Sequence, residues 1–458
     1  MVRDLTVGRP GKVLLQYTLP LFGSIIFQQL YNLADSLVAG RYIGTDALAA
    51  VGNAYEVTLL YIAFAFGCNI GASVITAKFF GMKDHKSLRT TVYTALIASG
   101  VIGAVLTVLG LLLSSDLLRL IQTHADIFDD CLEYLNIYIA GFLFVLAYNI
   151  ATGIFSAMGD SKTPFYFLAA SSVSNVFMDI LFVKEFRMGV AGVAWATFLC
   201  QGVSAVAAMA AMLLRLRKLG GEGAVLFSWR ILGQIARVAV PSILQQGFIS
   251  VGNIIIQGLI NSFGTAATGG YAAAVKLNNM AITSVTAMGN GMSNYAAQNA
   301  GADKPRRIQQ GLRSCIGLTW ILCLLFMGLF LGFTDPLVRI FITDGNQTAA
   351  GIGCDFLRTV SPFYIVISCK LIMDGVLRGT GKMMRFMIST LADLTLRVTL
   401  AAVLSVSLGL IGIWMAWPVG WALATVLSSL LYLQVSRKKF SLPGWGDSEG
   451  EAAERTAR

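Results

Sequence analysis

The sequence predicts an all-α polytopic membrane protein: 12 transmembrane helices in two parallel six-helix repeats, an N-lobe and a C-lobe, around a central cleft. Composition is the first observation behind that expectation: of 458 residues 56% are hydrophobic and 13% charged, where soluble domains carry about 25% charged residues. The mean hydropathy is +0.71. Segment count is the second: a helix needs about 20 apolar residues to cross a bilayer, and breaking the chain at charged and Gly/Pro-rich stretches leaves 12 such runs. The third is an internal repeat at a shift of 220 to 222 residues.

Taken in order, residues 1–12 are a polar cytoplasmic N-terminus and the first apolar run spans 13–39. That run is too long for a signal-peptide core and no A-x-A site follows it, so it reads as a membrane helix. Runs at 47–77, 92–113, 131–158, 164–183 and 189–214 complete the N-lobe (13–214). Residues 215–237, with five basic side chains, read as a cytoplasmic linker. The C-lobe (238–435) follows with runs at 238–262, 268–298, 312–333, 355–377, 386–407 and 410–435, and 436–458 is a cytoplasmic tail. With both termini inside, 25 of the 34 Lys/Arg residues fall on the cytoplasmic side and five on the other. The positive-inside rule therefore explains the net charge of +10 without nucleic acid as a partner. Seven cysteines stand singly, mostly in apolar runs, with no ligand spacing; they read as small buried hydrophobes.

The repeat is visible in paired segments. Pro20 and Asn32 correspond to Pro241 and Asn253, GASVITAKFFG (71–81) to GMSNYAAQNAG (291–301), and GIFSAMG (153–159) to GVLRGTG (375–381). Because each half has an even number of helices, both enter the membrane in the same direction. The pseudo-twofold axis then runs along the membrane normal, with the solute path between the halves.

Polar residues inside the helices carry the chemistry. Gln28, Tyr31, Asn32 and Asp35 share one face of the first helix, and Asn175 and Asp179 are i and i+4 on the fifth. Asn149 and Thr197 add an amide and a hydroxyl from the fourth and sixth. Such an all-oxygen set suits a hard monovalent cation, and a carboxylate in low dielectric suits a proton equally. Each has a plainer reading: Asp35 and Asp179 as groups reaching interfacial water, the amides and the threonine as interhelical hydrogen-bond partners. In the second half Lys370 and Asp374, and Asp393 and Arg397, are i,i+4 pairs of opposite charge, read as self-neutralising structural pairs. Glu56 and Lys276 occupy equivalent places in the two repeats and could pair between the lobes or lie at the interface. Pro20 bends the first helix, as a fixed kink or as a hinge.

The opening TLPLFGSIIFQQLYNLADSLVAGRYIG (18–44), the paired GVAGVAWAT (189–197) and GLIGIWMAW (409–417) and the two six-helix repeats resemble the multidrug and toxic compound extrusion (MATE) family, in its prokaryotic DinF-like branch. The resemblance covers about residues 5 to 435. It implies a cation site of Asp35, Asn175, Asp179 and Thr197, holding Na⁺ or H⁺, with Asn149, Tyr31 and Tyr134 in the same cavity. It also gives Pro20 a role in bending. The acids that the NorM-like branch carries on helices 7 and 10 are missing: helix 7 has none, and the helix-10 position in register is Ile367.

The function implied is secondary active efflux of amphipathic, often cationic organic compounds, in antiport with H⁺ or Na⁺ by alternating access. The expected setting is a bacterial cytoplasmic membrane, with no cofactor and the monomer as the working unit. A lipid-linked oligosaccharide flippase of the same superfamily is the alternative; it would line its cleft with several Arg/Lys, and only four basic residues lie within the helices. A membrane enzyme or receptor would call for a clustered catalytic set, and no such motif, nor a nucleotide-binding G-x-x-x-x-G-K-[ST], is present.

Overall fold

Helices account for nearly all of the described residues, and every regular element among them is helical. The computed structural model describes residues 4–38, 42–43, 45–121, 123–342 and 346–437, with only the backbone at 30, 32–37, 45, 46, 48 and 49. The first half runs α1 (Pro10–Val38), α2 (Thr45–Gly81), α3 (His85–Leu120), α4 (Ala125–Ala140), α5 (Phe142–Ala157), α6 (Lys162–Ile180) and α7 (Gly189–Lys218). The second runs α8 (Trp229–Asn261), α9 (Thr265–Gly301), α10 (Pro305–Gly332), the short α11 (Thr334–Arg339), α12 (Gln347–Val360), α13 (Tyr364–Gly379), α14 (Met383–Leu408) and α15 (Leu410–Arg437). Among the described residues nine stretches are long and apolar enough to cross a membrane, α12 and α13 forming one of them, and the bent pair α4 and α5 makes a tenth. α1 and α9 are the two further long helices of the expected twelve.

Two helices begin at side-chain caps. Asp84 accepts from the Ser87 amide at 2.9 Å at the start of α3, and Asn346 from the Ala349 amide at 3.1 Å at the start of α12. Such caps satisfy amides that have no partner within the helix. On α3 the side chains of Val101, Val105, Val108 and Leu112 are all exposed. Their spacing makes one apolar stripe, which suits hydrocarbon and would be untenable against water.

Both repeats break their fourth span. Between α4 and α5 the axis bends by 47° at Gly141, where a Cβ would meet the Phe198 ring at 2.8 Å. The second repeat breaks 222 residues later, where a 3₁₀ turn at Ser361–Phe363 containing Pro362 separates α12 from α13. Close helix crossings also recur. A Cβ on Gly153 would meet the Asn69 carbonyl at 3.0 Å, and Cβ atoms on Gly375 and Gly379 would clash with the carbonyls of Gly289 and Ser293. Small residues four apart let backbones approach in this way.

The chain divides into two compact units, one holding residues 15–253 and the other 5–14, 254–281 and 288–458, with 1–4 and 282–287 joining the first. Neither border follows the repeat. In the second unit the opening segment docks through its backbone: Leu5 donates to Gln298 Oε1 at 3.0 Å, Lys304 Nζ donates to the Thr6 carbonyl at 3.0 Å, and Arg307 donates to the Gly8 carbonyl at 2.7 Å. In the first unit the segment between α7 and α8 lies along α3. Thr90 and Thr94 hydroxyls accept from the Val225 and Ser228 amides at 3.2 and 3.1 Å. Gly221 there has φ +91°, and a Cβ would meet the His85 carbonyl at 2.7 Å, so no other residue fits.

Candidate functional site

The polar side chains of the first unit converge from α1, α6 and α7. Asn175, Asp179 and Thr197 are 1%, 0% and 8% exposed. Thr197 Oγ1 lies 3.1 Å from the Tyr31 hydroxyl, and Asn175 Nδ2 points at the same oxygen from 3.5 Å. One threonine hydroxyl thus joins three helices, with Asp179 one turn along α6 from Asn175. α6 gives way to a π-helical turn, Leu181–Glu185, two residues beyond Asp179. The Phe186 amide reaches the Leu181 carbonyl at 3.0 Å in the wider i,i+5 pattern. Turns of that kind cost hydrogen-bond quality and collect at functional positions.

The other expected members sit apart from this junction or beyond description. Asn32 and Asp35 have side chains outside the described residues. Gln28 is exposed and Tyr134 is buried at 7% exposure. Asn149 Nδ2 donates to the Val145 carbonyl of its own helix at 2.9 Å, while its own carbonyl accepts from Asn69 Nδ2 at 2.6 Å. Asn69, which also reaches Thr152 Oγ1 at 3.4 Å, escaped the sequence reading. Its signal was an amide within the apolar run AFAFGCNIG (63–71). Pro20 lies inside α1, and the Ser24 hydroxyl donates to its carbonyl at 3.0 Å. Glu56 belongs to the first unit; Lys276 belongs to the second, with Nζ 5.4 Å from the Phe341 ring centre.

One pairing read from spacing is corrected. Asp393 does not pair with Arg397: its Oδ2 lies 3.5 Å from Lys370 Nζ, while the Arg397 guanidinium lies 4.5 Å from the Trp417 ring centre. The aromatic face on α15 draws Arg397 away from its i−4 neighbour. Lys370 and Asp374 do pair, at 2.8 Å.

The site is an acid, an amide and two hydroxyls in a helical core. This arrangement can hold a proton or a small cation, and among the described residues it contains no nucleophile with its base.

Known proteins resemble this chain along most of its length. The MatE family matches residues 20–181 and 241–403, one match in each repeat. A probable multidrug resistance protein of Bacillus subtilis, YpnP, is 27% identical over 90% of this chain and 92% of its own length. A FAD transporter of Shewanella oneidensis is 25% identical over 89% and 91%. The crystal structure of a MATE in complex with MaL6 superposes with a TM-score of 0.90 at 22% identity, covering 95% of this chain and 98% of that one. Its likeness shows the fold alone. With both repeats matched, the chain belongs to the MatE family and is a membrane transporter, not an enzyme.

Proposed function

We propose that the protein is a secondary active efflux transporter of a bacterial cytoplasmic membrane. It exports amphipathic, often cationic organic compounds in exchange for inward H⁺ or Na⁺, by alternating access of its two halves. Transporters of this family draw on ion gradients. The observation that most supports the reading here is the Tyr31–Thr197–Asn175 junction with the buried Asp179 beside it. A carboxyl buried at bilayer depth is costly as an anion and is retained where its charge is used. Taking up a cation removes that charge; releasing it restores the penalty. The conformation that opens to the other side is then favoured only in one ionic state. Asp35, on the helix that carries Tyr31, is proposed as the second acid of the set.

An inward monovalent cation gains about 2.3 kcal/mol per 100 mV, enough to hold a gradient of a neutral solute above about tenfold in one-for-one exchange, whereas a cationic solute is driven by the ion's own concentration gradient or by a second inward cation. The positive-inside charge distribution supports both termini lying in the cytoplasm.

The test is dye efflux from proteoliposomes under an imposed pH or Na⁺ gradient, comparing the unaltered protein with Asp35→Asn and Asp179→Asn. FAD serves as an anionic counter-probe. Gradient-driven efflux of the cationic dye, lost in both variants, is expected. Transport that survives both substitutions would remove the ion site from the first unit, and transport of FAD but not of the dye would replace the substrate class.

A further inference from the structure

Between α7 and α8 the first unit carries a segment that is neither a span nor an ordinary polar loop. It runs up the start of α3: Arg89 donates to the Gly220 and Gly221 carbonyls at 3.2 and 3.4 Å, and the Val225 and Ser228 amides donate to the Thr90 and Thr94 hydroxyls. Tied down by its backbone, the segment turns apolar side chains outward. Val225, Leu226 and Trp229 are 53%, 69% and 79% exposed, and the Phe227 ring stands edge-on to Trp229 with centres 5.0 Å apart. The opening segment, docked on the second unit, buries its leucine, Leu5, completely.

Depth along α3 decides what covers these side chains. Thr90 and Thr94 are followed by Ile97, Val101 and Val105, exposed apolar groups that face hydrocarbon. Ile97 lies three residues, about 4.5 Å, beyond Thr94. Ser228, bonded to Thr94, and the adjoining Trp229 therefore sit level with the lipid headgroups, which add about 5 to 8 Å to each side of the hydrocarbon. An indole is favoured at that level, since its body is apolar and its N–H can reach water or headgroup oxygens.

The exposed charges around the segment are mostly basic. Arg217 and Lys218 precede it, Arg230 follows, and Lys83 and Lys86 stand exposed where α2 turns into α3. Lys86 Cε lies 3.7 Å from where a Cβ on Gly223 would stand. Glu222 is the one acid among residues 215–230, and Asp84 caps α3. Apolar side chains interleaved with cations complement a surface that is hydrocarbon on one side and anionic on the other. A free phosphate would answer the cations and leave three apolar groups in water.

We propose that residues 224–230, with Lys83 and Lys86, form a binding surface for anionic phospholipid, Val225, Leu226 and Trp229 inserting among the headgroups of the leaflet on that side. The inference stands apart from the efflux reading, because lipid binding is measured on the purified protein without transport.

The test follows the melting temperature of the full-length protein in phosphatidylcholine nanodiscs containing a rising fraction of phosphatidylglycerol. The unaltered protein should gain an upward shift that saturates and shrinks in high salt. Lys86→Gln and Arg230→Gln should each raise the half-saturating fraction about fivefold, and Trp229→Ser should raise it with every charge in place. Arg306→Gln with Arg313→Gln removes two exposed cations of the second unit and should leave it unchanged. The proposal is overturned by a missing shift, by a half-saturating fraction that the three variants leave alone, or by an equal change in the second-unit pair. The same shift produced by glycerol phosphate in detergent would overturn the lipid as occupant.

Discussion

The two units bury acids in opposite ways. In the first, Asp179 lies one turn from Asn175, and the groups described around that amide, the Thr197 and Tyr31 hydroxyls, are neutral. In the second, Asp374 is saturated by an ammonium and two hydroxyls. A saturated setting of this kind makes Asp374 part of the frame. The two halves share one repeated pattern, yet in the efflux reading proposed above the first uses a buried charge, while the second neutralises one.

The strongest way to break this comparison is to remove each acid. Asp374→Ala leaves the buried Lys370 ammonium with only its 3.5 Å contact to Asp393 and should cost about 3 kcal/mol of stability, read by thermal unfolding. Asp179→Asn should leave unfolding almost unchanged while abolishing gradient-driven efflux; the reverse pattern would erase the distinction. Asp160 tests whether burial alone sets the outcome. It is 1% exposed in the same unit as Asp179 but is paired with Arg215 at 2.6 Å and bonded to Thr163. Asp160→Ala should lower stability by about 3 kcal/mol at most, because Arg215 is partly wet, and should leave the ion preference of transport unaltered. Thr197→Val removes the shared hydroxyl. About 1 kcal/mol of hydrogen bonding goes with it, a weakening of the coupling ion of roughly fivefold, measured as the ion concentration that half-saturates efflux.

The smallest effect lies outside the membrane. The side-chain hydrogen bond from Arg339, then its charge, holds the exposed Asp335 carboxyl below its ordinary value of 3.8. A depressed folded pKa contributes stability above the unfolded value that is lost as pH falls through the folded one. Melting temperatures of the unaltered protein and Asp335→Asn should therefore differ slightly at neutral pH and converge below about pH 4.

The fold was legible from the spacing of apolar runs and from the repeat, because a bilayer imposes segment length on the sequence directly. Less was legible of which charge meets which. Asp393 and Arg397 are one turn apart on one helix, yet Lys370 on the neighbouring helix and the Trp417 ring decide their partners. Helix rotation and rotamer choice are tertiary properties with no local signature. Asn175 with Thr197 illustrates the same limit: both stood out as amide and hydroxyl in apolar runs, but their junction through Tyr31 depends on how α1, α6 and α7 pack. Ser389 and Ser428, which complete the Asp374 cage, look in sequence like any serine in a membrane helix.

The mismatch between repeat and unit has a consequence for assembly. Residues 5–14 open the first repeat but belong to the second unit, and α8 as far as Asn253 opens the second repeat but belongs to the first. Each half of the chain therefore contributes part of its leading stretch to the unit that holds most of the other half. Severing the chain between α7 and α8, within residues 219–228, would give two polypeptides that are each incomplete. Coexpressed, the fragments should copurify as an obligate heterodimer; expressed alone, neither should accumulate in the membrane.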